Sequence, residues 1–210
     1  MAIRLNGSTS GYVELDAPAT AGSNTLVLPN GNGSSGQYLQ TNGSGTLSWQ
    51  TVTDTTTNLT RMTAVATTSG ANIDFTIPSG VRKITLLLDE VSQTTNNLIK
   101  VQIGTGGSPL TSGYVGRCTY LSSSTGSQSN FSSAFDIRHY DNRFNITGSM
   151  ELCNITGNTW ISTHNAASVG WYTNCYGAGV ATLSGELDLV RVVAESGTFD
   201  NGQATIMYEV

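Results

Sequence analysis

Three features of the chain predict an all-β fold. No segment sustains a 3.6-residue apolar period bounded by helix caps. Short apolar runs recur instead, separated by turns rich in Gly, Ser and Asn. Polarity comes from hydroxyls and amides, since only 11% of residues are charged while 24 are Gly. Thr, Val, Ile and Tyr fit a pleated surface, and Gly and Asn fit its turns. An apolar content of 38% is enough to fill a core, which excludes a disordered chain.

Residues 1–50 read as a segment apart. Short β-like pieces at 3–5, 12–15, 25–28, 38–40 and 46–49 alternate with Gly-, Ser- and Asn-rich turns. Each piece offers few apolar side chains. Together they bury too little to offset a backbone ordering cost of about 1–2 kcal/mol per residue. Copies sharing one axis would supply the missing core, so this is expected to be an assembly or attachment segment. The Thr-rich stretch 51–61 is expected to link it to the rest.

Residues 62–210 carry a denser pattern. Segments 62–67 and 73–77 flank Ser69-Gly70 and are expected to form a hairpin. Segment 82–91 is a strongly apolar strand, closed by Asp89-Glu90. In 98–103, Ile99, Val101 and Ile103 alternate with Leu98, Lys100 and Gln102. Further strands are expected at 114–121, 131–137, 144–155, 159–163, 172–182 and 187–193. The stretches 122–130 and 138–143 read as exposed loops. In the final strand Ala204, Ile206 and Tyr208 share one face, with Gln203, Thr205, Met207 and Glu209 on the other. That strand runs to Val210, so the terminus is expected to be stitched into a sheet, as suits a distal tip. Many short strands joined by Gly/Ser turns point to an antiparallel β-sandwich of jelly-roll type.

Charge and cysteine content narrow the partners. A net charge of −5 offers no basic stripe for nucleic acid. No apolar run approaches the roughly 18 residues that span a bilayer, and no signal-peptide pattern follows Met1. Synthesis and assembly in a cytoplasm, without membrane insertion, are expected. Cys118, Cys153 and Cys175 lie in expected strands and read as small apolar core residues.

Catalytic signatures are missing from the sequence. No Gly-x-Ser-x-Gly elbow, phosphate loop or zinc spacing occurs, so no enzyme, metal or cofactor is expected. Asp89, Glu90, Asp136, Asp141, Glu151, Asp188 and Glu195 could in principle form an acid pair that cleaves glycans. Solvated strand faces are the plainer reading for most of them. Glycan binding asks only for aromatic rings and hydrogen-bonding side chains. His139, Tyr140, Asp141 and Arg143 stand in the most polar stretch, and Trp171 and Tyr172 lie near Gly170 beside Tyr176. Those first six residues form the candidate receptor-binding set. Trp160, within Thr159-Trp-Ile, is expected in the core.

Several blocks of sequence carry a resemblance. Thr68-Ser-Gly-Ala-Asn-Ile-Asp-Phe-Thr-Ile-Pro-Ser-Gly-Val-Arg-Lys-Ile-Thr85 is followed by Leu98-Ile-Lys-Val-Gln-Ile-Gly104 and Gly113-Tyr114. Asn158-Thr-Trp-Ile161, Leu187-Asp-Leu-Val-Arg-Val192 and Thr198-Phe-Asp-Asn-Gly202 follow in order. Over roughly 62–210 this resembles the C-terminal domain of many bacteriophage tail-fibre and related virion proteins. Residues 7–29, with Gly36-Gln-Tyr-Leu39 and Leu47-Ser-Trp49, resemble a short module of marine phage structural proteins, cyanophages especially. The resemblance implies a homotrimeric virion appendage with the sandwich as its head, joined to other virion proteins through the N-terminal module. Host-surface recognition of a glycan is the expected role. An architectural connector or head-decoration protein is the alternative, and a glycan-hydrolase tip a third reading.

Overall fold

The computed structural model describes residues 2–52, 59–121, 126–137, 145–169 and 173–210. The chain divides into two compact units, Met1–Thr56 and Thr57–Val210. Much of the expected linker, residues 53–58, lies outside the described residues. All described secondary structure is β-strand.

The first unit holds two hairpins. Strand β1 (Ile3–Asn6) pairs with β2 (Tyr12–Leu15), and β3 (Gln37–Thr41) with β4 (Leu47–Thr51), all antiparallel. The expected piece at 25–28 contributes only one bridge, Val27 to Thr46. Trp49 is the nearest thing to a centre: its indole N–H donates to the Gly31 carbonyl at 2.9 Å. Gly33 packs over this ring, where a Cβ would lie 2.6 Å from Cδ2. No described residue of this unit is buried.

The second unit is a sandwich of two curled antiparallel sheets. Its strands are β5 (Thr60–Arg61), β6 (Val65–Ala66), β7 (Asn72–Thr76), β8 (Lys83–Gln93), β9 (Ile99–Thr105), β10 (Ser108–Pro109) and β11 (Val115–Leu121). They continue with β12 (Gly126–Asn130), β13 (Phe135–Ile137), β14 (Asn145–Thr156), β15 (Thr159–Val169), β16 (Thr173–Thr182), β17 (Leu189–Ala194) and β18 (Phe199–Glu209). The large sheet runs β12-β11-β16-β15-β14-β8-β18-β5, with β6 also on β18; the small sheet runs β10-β9-β17-β7, with β13 on β9.

The pairing is that of a jelly roll. The first edge, β5–β6, pairs with the last strand β18, which pairs in turn with β8 and β8 with β14. In the other sheet β7 pairs with β17, β17 with β9 and β9 with β13. Taken in chain order, the frame strands β6, β7, β8, β9, β13, β14, β17 and β18 change sheet at every step except β9 to β13, as two interlocked Greek keys require. Strands β15, β16, β11 and β12 widen the large sheet beyond this frame.

The alternation read from the sequence places the core. Ile99, Val101 and Ile103 are buried between the sheets while Lys100 and Gln102 are half-exposed. Ala204 and Ile206 are buried and Tyr208 packs against the core. Tyr114, Phe131 and Phe135 form an aromatic cluster with edge-to-face centroid separations of 4.8 and 6.0 Å. The Tyr114 hydroxyl accepts from the Ile103 N–H at 2.9 Å and donates to the Leu110 carbonyl at 3.1 Å. Burial raises its pKa well above the usual phenol range. Cys118 and Cys175 are buried, Cys153 is half-buried, and none forms a disulfide.

Room for the rings comes from glycines. Gly116 and Gly179 face each other across β11 and β16. A Cβ on either would lie 2.7 Å from Cδ2 of Phe131. The sheet thus offers bare backbone to the ring, and any side chain there overpacks the core.

Three expectations are corrected. Segments 62–67 and 73–77 do not pair with each other, because Val65–Ala66 adds to β18 in the large sheet and Asn72–Thr76 to β17 in the small one. The stretch 122–130 is not all loop: Gly126–Asn130 is strand β12, paired along β11. Asp89-Glu90 does not close a strand, since β8 continues to Gln93 through a bulge. Glu90 takes φ 53° there. Its carbonyl accepts from the Asn201 side chain at 2.9 Å, which helps hold that unusual backbone.

The glycine corridor sets an expected outcome. Gly179→Ala should destabilise the folded protein by about 1–3 kcal/mol in urea unfolding. In a Phe131→Ala background the same substitution should cost markedly less, because the clashing ring is gone.

Candidate functional site

The sandwich has two ends that differ in what they carry. The chain joins the head at one end, where Thr60 pairs with Tyr208 and Lys83 with Glu209. At the opposite end lie Gln93 and Phe199, together with the strand ends Leu121, Gly126, Asn145, Val169 and Thr173. Leu121 pairs with both Gly126 and Asn174, Asn145 with Val169, and Ser168 with Thr173.

This bears on the sequence candidates. His139, Tyr140, Asp141, Arg143, Trp171 and Tyr172 all lie outside the described residues. Three of their flanking strand ends, Asn145, Val169 and Thr173, are neighbours at the far end of the large sheet, and the fourth, Ile137, ends β13 on β9 of the small sheet. The expected loop residues 122–125 are likewise outside the described residues and are flanked by the same end.

The described part of the far end is hydroxyl- and amide-rich. Thr95 Oγ1 donates to the Ser196 carbonyl at 2.6 Å, and Asn97 Nδ2 donates to Ser196 Oγ at 2.7 Å. Lys100 Nζ and Glu195 Oε1 form an ion pair at 2.6 Å. The acids considered for catalysis are dispersed among structural partners. Glu151 faces Lys83, Asp89 accepts from Gln203, and Asp188 accepts from the Gly107 N–H. Asp136 is buried, not solvated as expected, and accepts from Ser129 Oγ at 3.3 Å. Asp141 lies outside the described residues. No cluster of three or more His, Cys, Asp or Glu residues suited to a metal occurs among the described residues.

Two concave features are described. One, of about 350 Å³, lies at the end where the chain joins the head, between the connections around Gly80, Gly157 and Glu186. Its polar groups are bound to each other. Glu186 accepts from Ser79 Oγ and the Gly80 N–H, which holds its carboxyl below the usual range. Arg82 donates to Asn154 Oδ1 at 3.0 Å, and Asn154 donates to the Gly157 carbonyl at 2.8 Å. Trp160 forms part of the lining but is buried in the core, as expected.

The other is a shallow depression of about 250 Å³ on the outer face of the large sheet, lined by Ser149, Glu151, Thr163 and Asn165. Register sets its surroundings. Tyr176 stands opposite Asn165, which stands opposite Ser149; one row on, Ala178 faces Thr163 and Thr163 faces Glu151. Tyr176 is 45% exposed. Sequence reasoning grouped Tyr176 with Trp171 and Tyr172 but placed it on no face. Strict alternation along β16 was the signal available for Tyr176. The cross-strand partners were not legible.

Beneath this face, His164 points inward. Its ring lies where Gly177 has no side chain, since a Cβ there would be 2.6 Å from Cε1 of the imidazole. Neither ring nitrogen has a hydrogen-bond partner among the described residues, and burial lowers its pKa to about 4.

In comparisons with known proteins, no family model, no curated protein and no solved structure matched the chain.

The buried imidazole sets a pH dependence. Above about pH 6.5 His164 is neutral in both folded and unfolded chains. As the pH falls from there toward 4, the unfolded chain takes up a proton that the folded protein refuses. Stability should then drop by up to about 1.4 kcal/mol per pH unit, about 3 kcal/mol across the window. Urea unfolding at intervals from pH 7 to 4.5 should show this slope, and His164→Gln should flatten it.

Proposed function

We propose that this chain is a structural protein of a phage virion, a homotrimeric fibre tip whose head recognises a glycan on the host surface. One observation carries the reading: no described residue of the first unit is buried. Ile3, Leu5, Val13, Leu15, Leu26 and Leu28 are each at least 60% exposed. A lone two-stranded hairpin is marginal in water, and this unit has two of them with no core. Further copies of the same segment are the simplest cover for these side chains. The ordered blocks resembling phage virion proteins supply the context, and the virion is the proposed location.

The head's polarity supports the recognition role. Assembly would act from the end at which the chain joins the sandwich. The far end, flanking His139 to Arg143 and Trp171-Tyr172, would then be presented outward. Three weak sites on one rigid particle gain strength by effective concentration.

A connector or decoration role is favoured by one feature. Val115, Val180, Ile161 and Cys153 form a continuous cross-strand row on the outer face of the large sheet. Val115 is 65% exposed. Such a row would suit a neighbouring virion protein.

Light scattering tests the assembly reading. The full chain should be a trimer, and the piece starting at Thr57 a monomer. A monomeric full chain would sink the proposal. Exchange of residues 138–143 should leave the trimer intact and abolish adsorption of particles carrying it. Normal adsorption would transfer the role to the connector reading.

A further inference from the structure

We propose that the outer face of the large sheet around Tyr176 is a binding platform for a neutral pyranose sugar. The inference deepens the recognition reading above, on which its biological role rests, and adds a contact on the sheet face to the six sequence candidates.

The argument begins with what these side chains do not do. Ser149, Thr163, Asn165 and Tyr176 make no side-chain hydrogen bond within the described residues. In the cleft near Glu186, by contrast, the polar groups are largely engaged with one another. The outer face therefore holds its donors and acceptors in reserve, in contact with water.

The arrangement matches a sugar ring. A pyranose presents a face of C–H groups and an edge of hydroxyls. The first stacks on an exposed aromatic ring, and the second exchanges hydrogen bonds with amides, hydroxyls and carboxylates. Tyr176 supplies the ring. Asn165, directly opposite it, supplies both donor and acceptor, and Ser149 and Thr163 continue the row into the depression. Ala178 leaves the depression open on the side of β16. Glu151 at its far wall accepts, and its charge is countered by Lys83 at 3.4 Å. With the one carboxylate paired, the platform favours an uncharged ligand over an anion or cation.

Rigidity favours binding as well. The ligating residues stand on β14, β15 and β16, which are paired along nearly their full lengths. Little backbone order remains to be lost on contact.

The test uses the full chain and four probes: the methyl glycosides of glucose, galactose, mannose and N-acetylglucosamine. Saturation-transfer NMR should show at least one of them receiving magnetisation on its ring protons. Titration should give a Kd weakened about tenfold or more by Tyr176→Ala or by Asn165→Ala. Tyr176→Trp should retain binding, because stacking needs the ring and not the hydroxyl. These side chains are exposed, so thermal midpoints should stay at the parent value. Binding lost in Trp171→Ala but kept in Tyr176→Ala would overturn this platform and leave the recognition reading standing. Absence of transfer to every glycoside would overturn it too. A trimer that dissociates in Tyr176→Ala would show the face to be a contact between copies and overturn the proposal.

Discussion

The placement of β18 between β8 and the β5–β6 edge is the pairing on which the head depends. It joins residues 60–66, 83–93 and 199–209 into one sheet. Because β17 precedes it in the opposite sheet, the same closing stretch holds both layers in register. Contacts so distant in sequence return nothing until the intervening loop has been closed. The side chains they bury, Ala204 and Ile206 against Leu86 and Leu88, are what offset that entropy. The bulge at Glu90 and Gly202 lets two strands of unequal path keep this pairing to their ends.

A second constraint lies in the strands that widen the large sheet. Their inner face departs from the Leu/Ile/Val pattern: β15 offers Ser162, His164 and Ala166, and β16 offers Cys175, Gly177 and Gly179. Phe131 and His164 fill the space these small residues leave. The cost is a set of buried polar atoms without partners among the described residues, Ser162 Oγ and both His164 nitrogens among them. Stability is thus concentrated in the jelly-roll frame. The added strands contribute breadth, and with it the outer face on which Tyr176 stands.

Much of the fold was legible because alternation is local. Strands β9 and β18 followed from their own side chains, with Ile99, Val101, Ile103, Ala204 and Ile206 buried as expected, although Thr205 on the opposite face of β18 is buried as well. Errors arose where sheet identity is decided at a distance. Residues 65–66 and 72–76 look like a hairpin in isolation, yet their partners lie more than a hundred residues away in different sheets. Strand β12 was hidden because Gly-Ser-Gln-Ser-Asn has the composition of a loop; its strand character comes from pairing to β11 alone. Site residues suffered most. Tyr176, Asn165 and Ser149 are brought together only by register across three strands, which no motif in the chain announces. The starved first segment was readable because a lack of apolar side chains needs no partner to be noticed.

Among the described residues strand β12 ends the large sheet, with one backbone edge unpaired. Such an edge invites another sheet to continue it. Here its outward side chains are amides, and Arg117 ties them down by donating to Asn130 Oδ1 at 3.0 Å and Gln128 Oε1 at 2.9 Å. With no apolar side chain among its five residues, the strand gives an incoming one little surface to stick to. The polar edge therefore works against edge-to-edge pairing and fibril formation between copies of this sandwich.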